Sequence, residues 1–292
     1  MTPMLATENL TVRYRDTVAV DRLSIKLNEP GIIGLLGRNG SGKSSLLAAL
    51  AGLRRTSEGE VTFNGQPVFE NEAATTQICL IRESGDTVEE SERIETALKF
   101  AGELRPYWDE TYARKLLELF KLDPRRRINT LSRGQRSALG CTLGLAARAP
   151  ITLFDEVYLG LDAPSRYAFY EALLADYMDY PRLIVLSTHL IEEVARLFSE
   201  VIILHEGRMV LRDEAEALQR RGASLVGPEA AVERALAGMM VLSRRSLGPT
   251  TSVAVYGDTD ELGRRAASEG IEMGTLPLQD LFVHLTAGGN QS

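Results

Sequence analysis

The segment Gly37-Arg38-Asn39-Gly40-Ser41-Gly42-Lys43-Ser44 constrains this chain more than any other, because its spacing is G-x-x-x-x-G-K-[ST]. The glycines permit backbone angles closed to other residues, so successive N–H groups can turn inward on an anion. Such a loop needs a buried strand before it and a helix after it. Gly31-Ile32-Ile33-Gly34-Leu35-Leu36 is continuously apolar, as a strand covered on both faces must be. The pattern after the loop predicts a helix from about Lys43 to Leu53, whose N-terminal dipole end would face the same anion. The implied ligand is a nucleoside triphosphate held by Gly37, Arg38, Asn39, Gly40, Ser41, Gly42, Lys43 and Ser44. Lys43 would reach its β- and γ-phosphates and the Ser44 hydroxyl would meet Mg²⁺. Kinases, GTPases and many ATPases share this pattern, so the loop alone does not choose among them.

The rest of the chain supplies an α/β frame. Leu10–Tyr14, Leu23–Leu27 and Val61–Asn64 read as strands of an N-terminal antiparallel β subdomain. Ile78–Ile81, Ile151–Phe154 and Leu183–Ser187 are further strands, and their alternation with helices predicts a parallel core sheet. Val201–Leu204, a turn at Glu206-Gly207 and Met209–Leu211 form a hairpin. Over about 85–148 the periodicity is helical, with Ala97, Phe100, Ala101 and Leu104 on one face, and Leu116, Leu117 and Phe120 on another. This is a helical subdomain inserted in the α/β core, with breaks at Pro106 and Pro124. From Ala223 the order is βαββαβ, which fits a small ferredoxin-like α+β unit, followed by a closing helix at Leu278–Leu285. The expected division is therefore 1–215 and 223–292.

Composition narrows the class. The chain has 292 residues, 33 lysines and arginines against 40 aspartates and glutamates, and a net charge of −7. No apolar run approaches the ~18 residues of a membrane span, and the N-terminus lacks a signal-peptide pattern. The acidic balance argues against a nucleic-acid partner. Cys79 and Cys141 read as reduced, buried thiols rather than a disulfide.

Two strand ends carry further chemistry. Ile151-Thr152-Leu153-Phe154-Asp155-Glu156 puts two carboxylates at the C-terminal edge of a buried strand, where open parallel sheets bind their ligands. Asp155 suits Mg²⁺, and Glu156 suits activation of a water against the γ-phosphate. Leu186-Ser187-Thr188-His189 ends the next strand at the same edge, so His189 would orient that water.

Leu131-Ser132-Arg133-Gly134-Gln135 precedes a helix shortly before the acidic strand. With it the chain resembles the ATP-binding subunits of ABC transporters, whose signature is L-S-G-G-Q, over residues 1 to about 215: a P-loop ATPase cassette. The resemblance implies that two cassettes pack head to tail, and that Leu131, Ser132, Arg133, Gly134 and Gln135 cover the ATP held by the opposite protomer. It implies that the phosphate loop extends through Ser45, that Tyr14 stacks on adenine, that Glu156 and His189 are catalytic, and that Asp162 in Gly160-Leu161-Asp162 communicates across the dimer. It also implies ATP and Mg²⁺ as ligands, a second ATP-binding subunit, an integral membrane permease, and a place on the cytoplasmic face of the membrane. The family's glutamine, forty residues after the loop lysine, is Glu83 here, still an oxygen ligand for Mg²⁺. Arg133 replaces the first signature glycine, and Val157-Tyr158-Leu159 replaces the usual Pro-Thr-Ser. Arg105-Pro106-Tyr107-Trp108-Asp109-Glu110 resembles the single-cassette subgroup that serves ABC-2-type permeases, which favours export.

Two other functions compete. A soluble ABC-type ATPase of nucleic-acid or ribosome processes would carry a long coiled coil or a second cassette, but only 89 residues separate Lys43 from Ser132. A kinase or GTPase would lack the signature and His189.

Overall fold

The computed structural model describes residues 4–82, 89–236 and 238–287. Its first elements are β1 (Leu5–Tyr14), β2 (Thr17–Leu27), β3 (Gly31–Gly37), α1 (Lys43–Leu50), β4 (Glu58–Phe63), β5 (Gln66–Pro67), α2 (Glu72–Thr75) and β6 (Ile78–Arg82). Then come α3 (Ile94–Leu104), α4 (Glu110–Leu119), α5 (Arg133–Ala146), β7 (Ile151–Asp155), α6 (Ala163–Asp179) and β8 (Leu183–Thr188). The chain continues through α7 (Ile191–Val194), β9 (Glu200–His205), β10 (Arg208–Glu214) and α8 (Ala215–Arg221). It ends with β11 (Gly222–Pro228), α9 (Glu229–Ala235), β12 (Met240–Leu247), β13 (Thr250–Tyr256), α10 (Thr259–Ser268), β14 (Glu272–Thr275) and α11 (Leu278–Ala287).

Packing divides the chain into two compact units, Met1–His189 with Leu204–Met209, and Leu190–Ile203 with Val210–Ser292. These lines run elsewhere than 215 and 223. Residues 190–203 and 210–215 group with the C-terminal residues because α11 packs on α7 and the Ala215 N–H donates to the Ser199 carbonyl.

The first unit holds an antiparallel sheet of order β2-β1-β4-β5 and the run β3-β8-β7-β6 of a second sheet. The Leu204–Met209 hairpin is the first unit's share of β9 and β10. β6, β7, β8 and β3 are parallel, with Ile78 opposite Ile151, Ile151 opposite Leu183, and Leu183 opposite Gly31. Every residue of β3, β7 and β8 is buried, which matches the uniformly apolar runs. Cys79 and Cys141 are free and buried. Burial pushes both thiols up.

One helix end differs from the sequence reading. α1 stops at Leu50, short of Leu53, because Gly52 turns left-handed at φ 71°. Its N–H bonds the Ala49 carbonyl, and the Leu53 N–H bonds the Ala48 carbonyl. The apolar stripe of α3 is not all core: Ala97 is buried, but Phe100 is 51% and Leu104 70% exposed. With Ile81, Leu143 and Ala147 they line an open groove of about 210 Å³.

In the second unit, β11, α9, β12, β13, α10 and β14 form an antiparallel sheet of order β12-β13-β11-β14. This is the split βαβ arrangement. Leu225, Val232, Val253, Val255 and Leu262 form its core. Among the described residues no helix is long and apolar enough to cross a membrane.

Candidate functional site

The phosphate loop is braced from behind. Gly42 sits at φ 104°, and a Cβ there would lie 2.1 Å from the Ala19 carbonyl oxygen, so no other residue fits. The Gly207 N–H donates to the Ser41 carbonyl (3.0 Å), and the Asp21 N–H to the Gly207 carbonyl (2.9 Å). β2 and the Leu204–Met209 hairpin thus hold the loop's shape. Lys43 is 5% exposed and folds over its own loop, donating to the carbonyls of Gly37 (2.8 Å) and Arg38 (3.3 Å). The Ser41 hydroxyl is buried with no hydrogen-bond partner among the described residues. An unpaired buried donor at this point fits a loop shaped to take anionic oxygens.

The carboxylate edge faces this loop. Asp155 ends β7 and is buried, and its Oδ1 accepts from the Ser187 hydroxyl at 2.8 Å. Glu156 adopts a left-handed backbone, φ 51°, at the start of the Val157–Gly160 3₁₀ turn. Such a conformation costs roughly 1 kcal/mol and is typical of functional positions. Glu156 Oε1 lies 3.2 Å from Lys43 Nζ and 3.4 Å from His189 Nδ1. The Tyr158 hydroxyl donates to the Ser187 carbonyl at 3.1 Å, and its ring packs among Phe169 and Tyr170. The tyrosine in place of the usual threonine therefore braces the β8 end that carries His189.

Tyr14, Ser44, Ser45, Ala48, Arg82, Asp155 and Glu156 line one cleft of about 370 Å³. Tyr14 is 41% exposed and offers a ring surface, with the Arg54 guanidinium 4.0 Å from its centroid. Ser44 and Asp155 are hard oxygen donors of the kind Mg²⁺ selects, and they meet in this cleft.

Leu131, Ser132, Arg133, Gly134, Gln135 and Asp162 are not part of this cleft's lining. Ser132 instead caps α5, accepting from the Gln135 N–H (3.2 Å) while its own N–H donates to the Gln135 side chain (3.1 Å). Gly134 and Gly160 are needed for close packing. A Cβ at Gly134 would meet the Gly160 carbonyl oxygen at 2.9 Å, and one at Gly160 would meet the Ser137 hydroxyl at 2.3 Å. Asp162 caps α6 by accepting from the Ser165 N–H at 3.0 Å, and hydrogen bonds from the Ser165 hydroxyl and then its N–H hold the carboxyl below the usual range. Glu83 lies outside the described residues. Sequence reasoning missed Arg82, Ser187, Ala19 and Gly207 as members of the site or its support. Only the two-residue period of β6 hints that Arg82 shares a face with its neighbours.

The sequence profile of the family described as "ABC transporter" matches residues 20–158. A putative ABC transporter ATP-binding protein of Halobacterium salinarum is 32% identical over 220 residues, covering 72% of this chain and 93% of that protein. A phosphonates import ATP-binding protein of Natronomonas pharaonis is 29% identical over 240 residues, covering 76% of this chain and 99% of that protein. A solved dimeric bacterial ABC transporter cassette superposes with a TM-score of 0.63 at 21% identity, covering 72% of this chain and 98% of that one.

Proposed function

Since this chain belongs to the ABC transporter family of ATP-binding cassettes, which hydrolyse ATP to power transport, we propose that it pairs head to tail with a second cassette and drives a separate membrane permease. The observation that carries the reading is the contact of Glu156 with both Lys43 and His189 at the mouth of the phosphate loop. ATP entering the cleft draws Lys43 onto its phosphates and frees Glu156. Glu156 then takes a proton from a water attacking the γ-phosphorus, as the bond to the bridging oxygen breaks and ADP leaves. His189 holds that water and the γ-phosphate in line. Tyr14 stacks on the adenine. Ser44 and Asp155 would hold Mg²⁺, which supplies charge neutralisation on the phosphates.

Leu131–Gln135 and Asp162 line no part of their own cleft, which suits residues that close over the partner's ATP. The signature serine keeps its hydroxyl proton free, because in the cap it accepts rather than donates. The α3 groove, apolar at Phe100 and Leu104 with Glu89 and Glu92 at its margin, suits a short amphipathic helix of the permease carrying basic residues. In this reading the chain sits at the cytoplasmic face of the membrane, held there through the permease. The Arg105–Glu110 stretch supports export. Replacing Glu156 with Gln tests the core of the reading: nucleotide binding is retained, while hydrolysis falls about 10²–10³-fold. Turnover at the wild-type rate removes Glu156 from catalysis. In the same variant, ATP-dependent dimerisation is expected by size-exclusion chromatography.

A further inference from the structure

Arg82 stands in the nucleotide cleft with no assigned role. β6, β7 and β8 are in register there: Arg82 is opposite Asp155, and Asp155 is opposite Ser187. Residues paired across parallel strands point to the same face of a sheet. The Ser187–Asp155 hydrogen bond shows which face that is, and Arg82 is the next residue in the row. Its half-buried side chain lines the cleft with Ser44, Asp155 and Glu156. Ile81, one residue earlier, faces the opposite way, into the α3 groove. No hydrogen bond or ion pair joins the Arg82 guanidinium to another described residue, although two carboxylates share its cleft; Glu156 is engaged with Lys43 and His189, and Asp155 with Ser187.

A guanidinium that lines a cleft built for polyphosphate, on the same sheet face as Asp155, is placed to meet the phosphates themselves. We propose that Arg82 binds the terminal phosphate of ATP, from the same protomer and beside Asp155, as a second fixed cation opposite Lys43. The planar fork suits two phosphate oxygens at once, which a lysine ammonium does not match. The end of the cleft is set by its neighbours. Asp155, Glu156 and Ser44 mark the reacting phosphate, whereas Tyr14 marks the base. The proposal rests on the reading of this cleft as the ATP site.

The test is calorimetric binding of AMP-PNP and of ADP to the full chain, with Mg²⁺ and again in EDTA. Arg82→Ala is expected to weaken AMP-PNP binding about tenfold and ADP binding less than about twofold, the size of one charge-assisted contact. Arg82→Lys restores part of the loss. Arg82→Gln, which keeps length and polarity without charge, behaves like the alanine variant, and all three keep the wild-type melting temperature. The loss persists in EDTA, because the contact does not pass through the metal. Equal losses for the two nucleotides, no loss for either, or a loss that vanishes in EDTA overturns the assignment. Lys43→Ala separates the two levels: wild-type affinity in that variant means that the cleft is not the ATP site, and Arg82 falls with it.

Discussion

Ser187 touches no phosphate in the proposed mechanism, yet it decides where one carboxylate points. Its hydroxyl is buried and commits its proton to Asp155 Oδ1 at 2.8 Å, so the carboxylate cannot rotate without breaking that bond. Removing the hydroxyl leaves a buried carboxylate oxygen unpaired, which costs about 1–3 kcal/mol. Ser187→Ala is therefore expected to lower the melting temperature and to raise the Mg²⁺ concentration for half-maximal ATPase activity several-fold, with Ser187→Thr restoring both. Tyr158→Phe is the control. It keeps the ring among Phe169 and Tyr170, loses the bond to the Ser187 carbonyl, and costs about 1 kcal/mol without changing the Mg²⁺ requirement. A metal titration run beside thermal unfolding distinguishes the two variants. If Ser187→Ala is destabilised but keeps its Mg²⁺ curve, the serine is structural only.

At the scale of elements, the phosphate loop depends on a strand and a hairpin that carry no motif. Asp21 of β2 accepts from Arg208 of the hairpin at 2.8 Å, and that bond holds its carboxyl below the usual range. A lowered carboxyl pKa contributes stability above the unfolded value of about 4 and loses it as the pH falls through the folded value. Asp21→Asn should thus be less stable than wild type at neutral pH, with the difference closing in acid below that window. Urea unfolding at a series of pH values checks it, and a gap that persists at low pH assigns the effect to something other than this ion pair. The same elements show what a sequence can and cannot say. Gly37–Ser44, Asp155-Glu156 and Leu131–Gln135 were legible because each is a contiguous string whose residue types state their chemistry. Ala19 and Gly207 were not, because what matters there is a backbone oxygen 2.1 Å from where a Gly42 Cβ would sit, and no side chain records it. The α3 stripe was legible as a face but not as an environment. Phe100 and Leu104 have helical spacing and apolar chemistry, but periodicity finds an apolar face without telling a buried one from an open groove.

For the whole molecule, the division into two compact units separates chemistry from an appendage whose core is its own. Every residue lining the cleft proposed for the nucleotide belongs to the unit containing Met1–His189, as do Lys43, Ser187 and His189, to which the mechanism gives a part. The second unit closes a separate core around Leu225, Val253 and Val255 between its sheet and α9 and α10, and its βαββαβ order was readable because each strand and helix there is short and bounded by polar turns. Its boundary was not, since α7 is joined to α11 by packing across many intervening residues rather than by any shift in composition. If the units are energetically distinct, damage to one core should leave the other's ligand untouched. Leu225 is fully buried, so Leu225→Ala is expected to cost about 2–5 kcal/mol. AMP-PNP affinity in the same variant should stay at the wild-type value. Differential scanning calorimetry with and without AMP-PNP reads both quantities: the ligand shifts the transition of the cassette unit, while the substitution lowers that of the C-terminal unit. A single transition that moves with both means that the units unfold as one, and that the appendage contributes to nucleotide binding through the stability of the whole chain.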